Sequence, residues 1–248
     1  MRDQAEEETR KGILEPINVP KASDVLANRL RDLILGGHIA PGESLPTERE
    51  LVQESRLSRS SVREALRVLE VEGLISTRPG RSGGSTVQLP GRGSVSRSMQ
   101  LFVRSHAIRL ESLLECRLAV EPFLAGLAAT NHTEKELEEL GEIHERFVLS
   151  VDNVAAYKRI NLDWHLALAR ASRNEVLIAL MEAISQPIFD AAGYQEVTTP
   201  ELRHAAVKAH AAIMSAVARR DAELARTRMQ KHISAYATIA RRELMGRE

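Results

Sequence analysis

Three histidines and one asparagine in the second half of the sequence have the residue types and spacing of a metal site. Asn161 and His165 are four residues apart, so both side chains lie on one face of a helix. His210 and His232 each lie eleven residues from Asp221, where the helical pattern breaks, so they reach the same height in an antiparallel helical hairpin. Three imidazoles and an amide oxygen can converge there on one divalent ion. The alternative for each histidine is ordinary packing in a core or at a surface.

A second set of residues, in the first half of the chain, has the chemistry of DNA recognition. Arg59 and Arg63 share one helix face, and each guanidinium can donate two hydrogen bonds to a guanine. Short serine hydroxyls suit phosphate oxygens, and a glycine permits close approach to the minor groove. The candidate DNA-binding set comprises Arg49, Ser58, Arg59, Ser60, Ser61, Arg63, Arg78, Gly80 and Arg81. The alternative is that these arginines only solvate the surface.

The charge distribution favours the DNA-binding interpretation of that set. The whole chain has 34 basic and 34 acidic residues, so its formal net charge is zero. Residues 56–97, in contrast, contain eight arginines and three glutamates, which gives this segment a net charge of +5. A short segment rich in arginine is typical of a surface that contacts phosphates and guanine edges.

The sequence around these arginines predicts three helices followed by a β-hairpin. Apolar residues at helical spacing indicate a first helix over 22–37, and Thr47 with Glu50 forms a capping box that begins a second. Ser58 caps a third helix that ends near Gly73. Two short strands, 74–78 and 85–89, then flank a Pro- and Gly-containing turn. This order is that of a winged helix-turn-helix.

The predicted fold class is mainly α, with the winged helix-turn-helix at the N-terminus and an all-helical bundle of six or seven helices at the C-terminus. The domain boundaries follow from composition. Residues 1–20 are assigned to a mobile tail, 21–89 to the DNA-binding domain, 90–98 to a Gly- and Ser-rich linker, and 99–248 to the helical domain. No repeat of fixed period is evident.

Arg117 is the charged residue of the helical domain whose surroundings are most unusual. It lies within an apolar stretch, so its side chain is expected to project into the interior of the bundle. A buried arginine needs an anionic partner. That partner is either Glu121, four residues later, or an anion from outside the chain. Arg117, Glu121 and Tyr194 form the candidate set for binding a small molecule.

Composition excludes several classes of protein. The chain has 248 residues, 43% of them hydrophobic, so it is not intrinsically disordered. Its single cysteine excludes a disulfide scaffold and a cysteine-rich zinc module. No long apolar run suits a membrane span, and the acidic first residues do not resemble a basic leader. A cytoplasmic protein with no membrane partner is therefore expected.

The N-terminal half resembles the GntR family of bacterial transcription regulators. The residues that carry the resemblance are IAPGESLPTEREL (39–51), SRSSVREAL (58–66) and LEVEGLI (69–75). The resemblance implies a homodimer that binds a short palindromic operator in double-stranded DNA. It also implies that Arg49, Arg59, Arg63 and Gly80 stand at the family's DNA-contact positions. Pro79 departs from the residue that many relatives have at this position of the wing.

The C-terminal half resembles the FCD ligand-binding domain of the FadR subfamily. The residues concerned are RLAVEP (117–122), WH (164–165) with ARASRN (169–174), HAAI (210–213), RDA (220–222) and MQKHI (229–233). The resemblance implies a divalent metal, zinc or nickel, held by Asn161, His165, His210 and His232. Asn161 replaces the more common aspartate, which removes a negative charge. The implied effector is a small carboxylate or sugar acid that controls a repressor.

Two other functions fit the same residues. In a metal-sensing regulator, the ion itself would be the signal. In a metalloenzyme, three histidines and an open coordination position would serve hydrolysis. Asp163, the nearest carboxylate in sequence to His165, faces another side of the helix and is poorly placed as a general base. The sequence therefore favours a regulator, not an enzyme.

Overall fold

The computed structural model describes residues 19–78, 84–190 and 199–245, with side chains up to residue 239. The chain divides into two compact units between Pro90 and Gly91. Residues 1–18, which include most of the expected tail, lie outside the described residues. The first unit contains α1 (Ala22–Leu35), α2 (Glu48–Ser55), α3 (Arg59–Val71), β1 (Ile75–Arg78) and β2 (Gly84–Val87).

Polar caps set the boundaries of α2 and α3. The Thr47 hydroxyl accepts from the Glu50 amide and the Glu50 carboxylate accepts from the Thr47 amide, which is the predicted capping box. Arg56 then adopts a left-handed conformation with φ of 55° and ends α2. The Ser58 hydroxyl accepts from the Ser61 amide and starts α3. The two helices of the helix-turn-helix are thus defined by local hydrogen bonds, as the sequence predicted.

We expect Thr47→Ala to destabilise α2 selectively. The substitution removes the hydroxyl that satisfies the Glu50 amide, which should lower the free energy of local opening by about 1 kcal/mol. Native-state hydrogen exchange measures this opening. The capping box of the helix that begins at Glu134, where Thr133 and Glu136 make the same bonds, serves as an internal control. Unchanged exchange in α2 would contradict the prediction.

The β-hairpin completes the core of the first unit. β1 and β2 pair antiparallel, from Ile75 opposite Val87 to Arg78 opposite Gly84. Ile75 and Val87 are buried with apolar residues of all three helices. The predicted wing is therefore confirmed as a hairpin, although its strands are slightly shorter than expected. Its tip, with Gly80 and Arg81, lies outside the described residues.

The second unit consists of helices in the part of the chain that the structure describes. They are α4 (Arg92–Ser105), α5 (Leu110–Asn131), α6 (Glu134–Leu149), α7 (Val154–Ala171), α8 (Glu175–Asp190), α9 (Pro200–Ala218) and α10 (Ala222–Met245). The mainly α fold class is confirmed. No helix in the described ranges is long and apolar enough to cross a membrane.

One boundary differs from the sequence prediction. Residues 90–98 were assigned to a linker, but α4 begins at Arg92, so that assignment is wrong for most of the segment. Glycine and serine have low intrinsic helix propensity, but packing against other helices can stabilise a helix that contains them. Met99 and Val103 join an apolar cluster with residues of α8, and Arg92 pairs with Glu175 at 2.7 Å.

Three helices of this unit carry the predicted metal ligands. Asp221 ends the turn between α9 and α10, and its carboxylate accepts from the Leu224 amide, which caps α10 as expected. The hairpin packs against α5 and α7 through an apolar cluster that includes Trp164, Ile213 and Ile233. This packing directs His165 of α7, His210 of α9 and His232 of α10 toward one another.

Candidate functional site

The described arginines of the candidate DNA-binding set are exposed. Arg49 on α2 and both Arg59 and Arg63 on α3 are exposed, whereas Val62 and Leu66 of α3 are buried in the core. Arg78 is exposed at the end of β1. The first turn of a second helix in this motif is the part that enters the major groove. The side chains of these arginines are therefore accessible to a partner outside the unit.

Two side chains in this set have structural partners that the sequence analysis did not fully anticipate. Ser58 caps α3 and also shares hydrogen bonds with the hydroxyls of Ser60 and Ser61, at 2.8 and 2.9 Å, so it is less available to phosphate. Arg63 donates from Nε to Glu48 of α2 at 2.9 Å. This exposed ion pair contributes little to stability, but it orients the Arg63 guanidinium.

The three histidines converge as predicted. One ring nitrogen of each of His165, His210 and His232 lies within 4.8 Å of the others. The Nε2 atoms of His210 and His232 are 3.1 Å apart. Asn161 is buried and lines the same cavity as His165 and His232. This donor set of three imidazoles and an amide suits a divalent transition metal.

Stacked aromatic rings fix the orientation of His210, which is completely buried. The His210 ring stacks on Trp164 with centroids 3.7 Å apart and planes inclined by 9°. It also stacks on Phe147 with centroids 4.7 Å apart, and Phe147 in turn stacks on Tyr157. Trp164 therefore contacts a candidate metal ligand directly.

The Glu121 carboxylate contacts the His165 ring at Nδ1. It lies 2.5 Å from His165 Nδ1 and also pairs with Arg117. A negative carboxylate so close to Nδ1 favours the tautomer that carries its proton there, which leaves the Nε2 lone pair for a metal. Glu121 is 2% exposed and is not part of the cavity wall. Its assignment to effector binding is therefore corrected: the Glu121 carboxylate positions a histidine and is the anionic partner of Arg117.

Burial and nearby charges set the protonation states of the three histidines and of Glu121. Burial lowers the pKa of His165 and His210, and lowers that of His232 to about 3. Burial alone would raise the pKa of Glu121, but Arg117 and then His165 outweigh it and hold that pKa well below its usual range. At neutral pH the site therefore contains neutral imidazoles, the form that binds metal.

A cavity of about 420 Å³ adjoins the histidines. Its wall includes the predicted residues Arg117, Asn161, His165 and His232. Further described wall residues, which the sequence analysis missed, are Tyr157, Lys208, Arg228, Lys231 and Tyr236. Helical spacing would have indicated three of them, because Tyr157 lies four residues before Asn161, and Arg228 and Tyr236 lie four residues on either side of His232. Tyr194 lies outside the described residues.

Comparison with known proteins defines the family. Residues 22–83 match the protein family described as bacterial regulatory proteins, gntR family. Residues 112–235, half of the chain, match the FCD domain family. The chain belongs to the GntR family. It is a DNA-binding transcriptional regulator with an FCD ligand-binding domain, and its relatives are regulators, not enzymes.

Individual relatives agree with this assignment. The regulator is 32% identical over 212 residues to the Uxu operon regulator of Haemophilus influenzae, covering 82% of this chain and 76% of that protein. It is 27% identical over 229 residues to the transcriptional repressor NanR of Escherichia coli, covering 90% and 85%. A solved GntR structure from Streptococcus agalactiae shares the fold, with a TM-score of 0.67 and 24% identity over 87% of this chain and 99% of that chain.

We expect Glu121→Gln to weaken metal binding to the regulator. The substitution keeps the shape of the side chain but removes the charge that orients His165, which should lower metal affinity about 10- to 100-fold. Competition with a chromophoric chelator measures the affinity for zinc. Glu139→Gln, at an exposed position on α6, is the matched control. Equal affinities of the two variants would contradict the role assigned to Glu121.

Proposed function

We propose that this regulator is a repressor that binds a palindromic operator as a homodimer and releases it in response to a small organic or sugar acid. The relative NanR supports the sign of regulation, since it is a transcriptional repressor. Arg59 and Arg63 would contact guanines, while Arg49, Ser60 and Ser61 would contact the backbone or groove edge. Arg78, Gly80 and Arg81 would belong to the wing contact. Ser58 would mainly hold the first turn of α3.

The observation that carries the effector half of the proposal is the convergence of three imidazoles, two of them buried and one half-buried, beside a cavity that His165 and His232 line. His165, His210, His232 and Asn161 would hold a divalent ion, with zinc and nickel as the expected metals. When bound, the metal supplies an electrophilic position for a carboxylate oxygen. These residues fit a metal ion because their rings are held in place. Glu121 orients the His165 ring, and the stack on Trp164 orients the His210 ring.

The effector must act through different affinities for two states of the regulator. Its site is built from α5, α7, α9 and α10, which contribute Arg117, Asn161, Lys208 and His232 respectively. A ligand held by all four helices favours the arrangement in which they surround it most closely. That preference would change the operator affinity of the dimer.

A thermal-shift screen of metal-loaded regulator against small carboxylic and sugar acids tests this proposal. Stabilisation follows ligand concentration over affinity, so an effector raises the melting temperature. We expect a stabilising acid whose effect disappears with a chelator and which also lowers operator affinity. Operator affinity that follows the metal alone, with no acid effect, would replace the proposal with metal sensing.

A further inference from the structure

The cavity beside the histidines has a positively charged mouth. Lys208 of α9 and both Arg228 and Lys231 of α10 line it, and the two lysines are exposed. Arg228 is half-buried, and its Nη1 donates to the carbonyl of Ala212 on α9. This bond holds the guanidinium in place at the wall between the two helices.

Within the described residues, none of these three cations forms an ion pair with a carboxylate, whereas several arginines elsewhere in the unit do. Arg92, Arg173 and Arg226 pair with Glu175, Glu136 and Glu223 at 2.7, 3.4 and 2.7 Å. None of the described ion pairs involves Lys208, Arg228 or Lys231, and no described wall residue of the cavity is acidic. Among the residues that the structure describes, no carboxylate therefore pairs with the positive charge at the mouth.

The inner end of the cavity has a different charge balance. Arg117 is 2% exposed and pairs with Glu121, so the two charges largely cancel. A carboxylate at this end would be attracted chiefly by the metal of the proposed function. A ligand with one carboxylate would then leave the charge at the mouth uncompensated.

We infer that the effector carries two anionic groups, one carboxylate at the histidine end and a second carboxylate or phosphate at Arg228, Lys208 and Lys231. The inference rests on the proposed function and narrows its ligand from organic acids in general to dicarboxylic or phosphorylated acids. A fixed guanidinium forms paired hydrogen bonds with either group, and the flexible lysines add charge.

Three acids that differ at one carbon test the inference. Gluconate, glucarate and 6-phosphogluconate share the configuration of their central carbons but end in a hydroxyl, a carboxylate and a phosphate. Calorimetry on the zinc-loaded full chain at constant ionic strength gives the Kd of each. We expect glucarate and 6-phosphogluconate, which each carry a second anionic group, to bind at least about tenfold more tightly than gluconate. Galactonate and galactarate repeat the comparison in a second configuration.

Substitutions locate the preference at the mouth. In the double variant Arg228→Gln with Lys231→Gln, we expect the Kd of gluconate to exceed that of glucarate or 6-phosphogluconate by less than about threefold. Arg219→Gln, which changes an exposed arginine after α9 that does not line the cavity, should keep the full ratio.

Failure of the two-anion inference and failure of the proposed metal site would give different results. Equal affinities for acids with one and with two anionic groups, no binding of any acid with two anionic groups, or a preference that survives in the double variant would overturn the two-anion inference. Failure of the proposed metal site would instead appear as Kd values that do not change when a chelator removes the zinc. Loss of the preference in the double variant would still support the mouth as an anion site in that case.

Discussion

Arg59→Glu is expected to weaken specific operator binding by at least about 100-fold, because it removes a bidentate guanine contact and places a negative charge in the groove. A good bidentate pair discriminates between bases by about 1–3 kcal/mol, and charge reversal adds repulsion from phosphates. Arg59 is exposed at the first position of α3, so the change removes no core contact. Fluorescence anisotropy with operator DNA at fixed salt measures the effect.

The fold of this variant should be intact for a specific reason. A glutamate in the first turn of a helix interacts favourably with the positive end of the helix dipole. The melting temperature should therefore equal or slightly exceed that of the parent chain. A loss of DNA binding that is accompanied by unfolding would assign Arg59 a structural role instead of a base contact.

Arg29→Glu separates base contact from net charge. Arg29 is exposed on α1, outside the helix-turn-helix, and the substitution changes the charge of the DNA-binding unit by the same amount. We expect its effect on operator affinity to be several-fold at most, by long-range repulsion that salt screens. If Arg29→Glu and Arg59→Glu weakened binding equally, the assignment of Arg59 to a guanine would be wrong.

The sequence predicted those parts of the fold in which short-range hydrogen bonds decide the structure. Thr47 with Glu50, Ser58 and Asp221 each form the predicted cap, and each cap needs only residues three positions away. The same holds for the meeting of His210 and His232, since an antiparallel hairpin with a known turn fixes which residues face each other.

Contacts between distant segments were harder to predict. Residues 92–98 are helical although their own composition gives little indication of this, and their contacts to α8 are polar ones from Arg92 to Glu175 and from Ser96 to the Glu182 carbonyl. The Glu121–His165 contact joins α5 to α7, so no sequence spacing reveals it. Sequence left open whether Arg117 pairs with Glu121 or with an effector, and only the fold shows the pair with Glu121.

The second large effect is expected for His210→Phe, which should lower metal affinity by at least about 100-fold while keeping the aromatic stack. Phenylalanine fills a similar space between the rings of Trp164 and Phe147 but has no nitrogen to donate to a metal. An alanine at this position would instead leave a void in a completely buried site. The loss of a metal ligand could then not be separated from the loss of packing.

Trp164 provides the measurement, because it is the one tryptophan of the chain and its ring lies 3.7 Å from that of His210. Nickel bound at the histidines should quench its fluorescence in the parent chain and leave His210→Phe unquenched. Zinc should likewise raise the melting temperature of the parent chain alone. Trp164→Phe, followed by melting temperature, keeps all the proposed ligands and should retain stabilisation by zinc. If His210→Phe still gained stability from zinc, His210 would be a packed core histidine and the ion would lie elsewhere.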